Sequence, residues 1–181
     1  MLYYGYMNER IHFPPHHDEI PKRAPLIFLA GPIQGSPDWQ TETALELTHH
    51  LKDAHVASPR RITEDKNFDY KEQVRWEKDH LRRARNLGVI MFWFAAQDHA
   101  LEYEKGRAYS QTTRIEMGKV IGWREFTQFP IVIGFDPEYT PQGGGSERYM
   151  RDDAEENNIP VYDSLDDTID ATMRSFYSLK D

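Results

Sequence analysis

The sequence predicts an α/β domain, a doubly wound sheet of about five mainly parallel strands with helices on both faces. Three observations carry that expectation. Short apolar runs alternate with longer helical patterns along most of the chain. The stretch Gly88-Val89-Ile90-Met91-Phe92-Trp93-Phe94 is continuously apolar, as a central parallel strand covered on both faces must be. Finally, Leu26-Ile27-Phe28-Leu29-Ala30 opens into Gly31-Pro32-Ile33-Gln34-Gly35 and then a helical stretch. That is the first half of a βα unit, whose loop usually faces a small ligand.

Taken in order, residues 1 to 24 are rich in Tyr, His and Pro and show no period, so they read as an N-terminal extension to a domain at 25–181. Tyr3, Tyr4 and Tyr6 are expected to pack on the domain or on a neighbour. The first helix places Ala44, Leu47 and Leu51 on one face. Residues 55–58 form a second short strand, stopped by Pro59-Arg60-Arg61. A long helix at 70–86 has no internal Pro or Gly, and the central strand follows it. Residues 95–111 are polar and loop-like. A helix at 113–123, a strand at 130–135, a Gly-rich loop, a helix at 147–157, a short strand at 159–162 and a final helix from 166 complete the chain.

Bulk properties narrow the function. A chain of 181 residues holds one domain with an adequate core. A net charge of -8 and a pI of about 5.5 argue against a nucleic-acid polymer as partner. The chain has no cysteine, so disulfides, thiolate metal sites and thiol nucleophiles are excluded. The longest apolar run is too short to span a bilayer, and no secretory signal is visible, so a cytoplasmic protein without a membrane partner is expected. His16-His17 and His49-His50 are adjacent pairs that point apart, and neither a metal site nor a bound cofactor is expected.

Three segments could carry chemistry. In the long helix, Glu77 falls between Val74 and Leu81 on the inward stripe, with Tyr70 a turn earlier and Gln73 and His80 flanking it. A carboxylate there must be partnered, protonated or facing a cleft, because burying it alone is costly. A structural pair with Arg60 or Arg61 is the alternative. The second segment is Thr113-Arg114-Ile115-Glu116-Met117-Gly118. Thr-x-x-Glu is the pattern of a capping box, in which Glu116 only satisfies the helix start. Equally, a carboxylate at that helix start could attack an anomeric carbon, with Gly118 allowing a close approach. The third segment is Ser58-Pro59-Arg60-Arg61, where the arginines could hold a phosphate or simply pair with Glu64 and Asp65.

Together these segments resemble the nucleoside 2-deoxyribosyltransferase-like family over roughly residues 25 to 135. The matching residues are Phe28-Leu29-Ala30-Gly31-Pro32-Ile33, Ser58-Pro59-Arg60-Arg61, Gln73-Val74-Arg75-Trp76-Glu77, the central strand and Ile115-Glu116-Met117-Gly118. The resemblance implies a flavodoxin-like sheet, cleavage of an N-glycosidic bond, and a nucleophilic glutamate at Glu116. It also implies a homo-oligomer, since a neighbouring chain completes the family's site; the last helix, bearing Met173, Phe176 and Tyr177, is a candidate interface. The chain departs from the pattern in one place. The family's long-helix Asp, which precedes a Leu, falls on His80, with Asp79 about 100° around the helix. Glu77 is therefore the preferred substitute, with His80 and Asp79 behind it. The acidic base-binding residue before the nucleophile has no counterpart in Ser110, Gln111 or Thr112.

The implied reaction is a double displacement in which a nucleoside or nucleotide gives its sugar to Glu116 and then to a free nucleobase. Gly31, Pro32, Gln34 and Gly35 would hold the sugar's 5′ end, Trp39 or Trp76 would stack on the base, Gln73 and Thr113 would line the site, and Arg60 would meet a 5′-phosphate. A hydrolase using water, a nucleotide-binding sensor and an interaction module remain alternatives.

Overall fold

The computed structural model of the protein describes residues 8–61, 69–103, 106–140 and 146–179. The tyrosines at 3, 4 and 6, Glu64, Asp65 and the glycines at 143 to 145 lie outside the described residues. The elements alternate as β1 (Ile11–His12), β2 (Leu26–Ala30), α1 (Trp39–His50), β3 (His55–Ala57), α2 (Tyr70–Leu87), β4 (Gly88–Phe94), α3 (Gln111–Arg124), β5 (Ile131–Phe135), α4 (Ser146–Glu156), β6 (Val161–Tyr162) and α5 (Leu165–Tyr177). The strands form one all-parallel sheet in the order β1-β3-β2-β4-β5-β6, a flavodoxin-like doubly wound arrangement. This is six strands where about five were expected.

Side chains alternate across each central strand and divide the core into two layers. Leu26, Phe28, Ile90, Phe92 and Phe94 face α2, α3 and α4. Ile27, Leu29, Val89, Met91 and Trp93 face α1 and α5. Both layers are closed, which is why the strands read as continuous apolar runs.

The sixth strand is β1. It pairs with β3 through Ile11↔Val56 and His12↔Ala57, and Ile11 and Phe13 are buried. Arg10 reinforces the edge by donating to the carbonyls of Thr48, Leu51, Lys52 and Ala54, at and beyond the end of α1. A guanidinium suits that place because the last carbonyls of a helix have no backbone donors of their own.

Two expectations about helix faces are corrected. In α2 the buried stripe is Gln73, Trp76, His80, Leu81 and Ala84, with Val74 only partly covered and Tyr70 exposed. In α5, Phe176 is fully buried and Met173 packs on the same core layer. The apolar stripe of that helix is thus spent on its own sheet and leaves only Tyr177 exposed for an interface. Among the described residues, no helix is long and apolar enough to cross a membrane.

Candidate active site

The chain reverses direction across the sheet between β2 and β4. From β2 the chain steps outward to β3 on one side, then crosses back to β4 and runs outward to β5 and β6 on the other. Loops after the carboxyl ends of such strands part at that point and leave a crevice. A cleft of about 980 Å³ lies there, between the loops after β2, β3 and β4 and the facing sides of α2 and α3. That is ample for a small ligand.

The loop after β2 is tied down from beneath. The Pro32 carbonyl accepts from Ser36 Oγ (2.7 Å), Gln40 Nε2 (3.1 Å) and Trp39 Nε1 (3.2 Å). Gly31 leaves the space that the Trp39 ring fills. Gly35 turns the chain with φ +68°, and its carbonyl accepts from the Asp98 amide. Gly31, Pro32 and Gln34 line the cleft, whereas Gly35 does not.

Arg60 also lines the cleft, and the loop engages its Nε and Nη2. It donates to Gln40 Oε1 (3.0 Å), Ile33 O (3.2 Å) and Pro37 O (2.9 Å), and meets Asp38 at 3.1 Å. Burial lowers its pKa and the Asp38 carboxylate opposes that. Arg60 thus clamps the loop from the side of the cleft, so Arg60→Met should release it. The expected cost is about 1–3 kcal/mol for the loop acceptors left unpaired, or ~2–12 °C in Tm. Melting curves of the variant and the wild type check this; an unchanged Tm would mean that Arg60 does not hold the loop.

Helix α3 starts at Gln111, two residues earlier than the sequence pattern suggests. Its N-cap is Ser110, held in the left-handed region at φ 53° with its hydroxyl bonded to Tyr139. Thr113 is therefore the third helical residue and Glu116 the sixth, beyond reach of the free N–H groups of the first turn. The capping box is not formed. Thr113 is buried on the cleft side, and Glu116 follows a turn later beside the stripe of Met117 and Val120. Burial, reinforced by the nearby Glu77 charge and opposed by Lys119, raises the Glu116 pKa to about 7.

Glu77 reaches the same cleft from α2. Its Oε1 accepts from Gln73 Nε2 at 2.7 Å, and burial raises its pKa against the pull of Gln73 and Arg61. No direct pair with Arg60 accounts for it; Gln73 stands between Glu77 and Arg61. Two carboxyls from neighbouring helices thus share one cleft and disfavour each other's charge, the arrangement that splits acid and base roles in many enzymes.

Other expected site residues go elsewhere. Trp76 is fully buried, donates from Nε1 to His16 O (2.8 Å) and stacks on His80, so it cannot stack on a ligand. His80 bonds through Nδ1 to Trp76 O and belongs to a ring cluster with His12 and His17, away from the cleft. Asp79 is exposed and pairs with Arg82. Trp39 lies under the loop and does not line the cleft. Nothing described approaches Gly118 where a side chain would sit. Conversely, Tyr103, Arg107, Gln111 and Thr112 line the cleft without having been singled out as ligands. Arg107 bridges its mouth, donating to Thr112 Oγ1 (2.6 Å) and Gln34 Oε1 (3.4 Å). It sits in an irregular polar loop, where no period marks which residues turn inward. No group of three or more metal-ligating side chains is found among the described residues.

Over residues 24–124, more than half of the chain, the sequence matches the family model described as nucleoside 2-deoxyribosyltransferase like. The match contains the loop after β2 and both cleft glutamates. No curated protein matches the chain.

Proposed function

Since this chain belongs to the nucleoside 2-deoxyribosyltransferase-like family, we propose that it cleaves the N-glycosidic bond of a (deoxy)nucleoside or nucleotide and transfers the sugar to a second nucleobase through an ester on Glu116. The observation that carries this reading is the convergence of Glu116 and Glu77 on one cleft, with Glu116 poised to titrate at about pH 7.

The pair holds one proton near neutrality, because like charges so placed resist double ionisation. As the C1′–N bond breaks, its electron pair leaves with the base nitrogen, which takes that proton by way of Glu77. Glu116, ionised, attacks C1′ and forms the glycosyl ester. An incoming base then attacks C1′ through nitrogen, the ester bond returns its electrons to Glu116, and the proton shed by the new base restores the pair. The scheme is the nitrogen-leaving-group counterpart of retaining glycoside hydrolysis. Gly31, Pro32, Gln34 and Thr113 line the cleft and would hold the sugar. Should the substrate carry a 5′-phosphate, Arg60 is the first candidate to meet it, with Arg61 and Arg107 the other cations lining the cleft among the described residues.

Chromatography of a nucleoside and nucleotide panel, with and without free adenine, tests the proposal. Base exchange that requires adenine is the expected result. Base release without an acceptor makes the protein an N-glycoside hydrolase using the same ester. No reaction across the panel would reduce the site to nucleotide binding.

A further inference from the structure

Gln73 was expected to touch substrate, yet its amide is engaged at both ends. Arg61 Nε donates to Gln73 Oε1 at 2.9 Å. A guanidinium has only donors, so this contact turns the amide oxygen toward Arg61 and the NH2 group the other way. There Nε2 donates to Glu77 Oε1 at 2.7 Å and to the Pro59 carbonyl at 3.1 Å. Gln73 is buried. The chain Arg61–Gln73–Glu77 is thus a polarised series of hydrogen bonds in a setting of low dielectric, where each bond strengthens the next.

The two carboxyls of the cleft are therefore unlike. Glu77 receives an amide donor backed by a guanidinium, and among the described residues the charged groups facing it are Arg61 from the segment after β3 and Glu116 from α3. Glu116 has Lys119 one turn along its own helix and Glu77 across the cleft. Arg60 lines the same cleft tied to Asp38, and Arg107 lines its mouth.

We propose that Gln73 is a positioning residue, which carries the charge of Arg61 to the Glu77 carboxylate and so leaves Glu116 as the carboxyl that holds the proton of the resting site. The consequence for the reaction deepens the proposed function and rests on it. Glu116 waits in its neutral form, unable to attack, and becomes a nucleophile only when its proton passes to Glu77 and on to a departing base. A resting enzyme built this way is guarded against modification of its own nucleophile.

The test needs no turnover, so its outcome is separable from that of the proposed reaction. Carbon-13 NMR of the glutamate carboxyls in the ligand-free protein should show one group titrating near pH 7, absent in Glu116→Gln. In that Glu116→Gln background, Gln73→Met should raise the Glu77 midpoint by about one pH unit, a tenfold change in proton affinity. Arg61→Met should move it the same way. A residue that merely supported the fold would lower Tm and leave the midpoint in place, so an unmoved Glu77 midpoint in a folded Gln73→Met protein overturns the proposal. So would a near-neutral titration that belongs to Glu77. Failure of every nucleoside to react would sink the reaction scheme and leave the NMR result standing.

Discussion

Glu116→Gln is expected to lose base exchange by at least about 10³-fold, the scale for removing a covalent nucleophile, and yet to be more stable than the wild type above pH 7. The two expectations share a cause. The unfolded chain ionises a glutamate near its ordinary 4.5, whereas the folded protein holds Glu116 to about 7. Between those values the folded state binds the extra proton, so stability falls as pH rises through the window. Above pH 7 the cost is fully present, about 3 kcal/mol for a shift of this size. Gln keeps the volume and carries no charge, so the variant should gain ~6–12 °C in Tm at pH 8 and nearly nothing at pH 4.5. His12 acts with the opposite sign. Burial first, and then the neighbouring His55 and His80, lower its pKa to about 4. Its unfolded form takes the proton near 6.5, and stability is lost as pH falls from there toward 4. That loss is common to both proteins and cancels when their melting curves are compared at each pH. Equal stability at pH 8 would mean that Glu116 carries no penalty for its charge. Retained exchange would remove it from the reaction.

Which parts of this molecule could be read from its residues follows from how local their causes are. The strand Gly88–Phe94 is visible because its own residues are apolar on both faces. The helix Tyr70–Leu87 is visible because its eighteen residues lack a breaker. Strand β1 escaped because two residues have no period, and only the partner strand β3 makes them a strand. The inward direction of Glu77 was legible from helical spacing, though the stripe itself is rotated toward Trp76 and His80. The tryptophans were not legible. An indole at a helical position reads alike whether it stacks on a base or fills a gap. Trp76 is committed by His16, sixty residues away in sequence, and Trp39 by the missing side chain of Gly31. Arg60 lies at the cleft, and its clamp on the loop was not legible. Its partners on the loop after β2 lie more than twenty residues off, and no spacing rule connects them. The fate of Glu116 depended on where α3 begins, and the N-cap there, Ser110, is bonded to Tyr139 from the loop after β5.

The Gly31 and Trp39 pairing yields the second large expected effect, a Gly31→Ala variant that loses both stability and substrate affinity. A methyl group at Gly31 would stand 2.3 Å from the Trp39 ring and 2.4 Å from the Trp93 carbonyl oxygen. Neither neighbour has room to yield. The indole is buried at 4% exposure and held by its N–H to the Pro32 carbonyl, and the Trp93 carbonyl belongs to the central strand. Close-packed interiors transmit such a clash rather than absorb it. Overpacking of this kind costs about 3 kcal/mol, hence ~6–12 °C in Tm. What gives way is the loop, since its upper side borders the open cleft. Gly31, Pro32 and Gln34 would then rise into the cleft, and for the proposed reaction KM should climb by about tenfold or more, beyond the change in kcat. Adding Trp39→Phe removes the ring contact and leaves the carbonyl contact, so the double variant should recover only part of the lost Tm. Differential scanning calorimetry and steady-state kinetics on the three proteins decide the matter. A Gly31→Ala protein with wild-type Tm and KM would mean that the floor of the cleft is not set by this close approach.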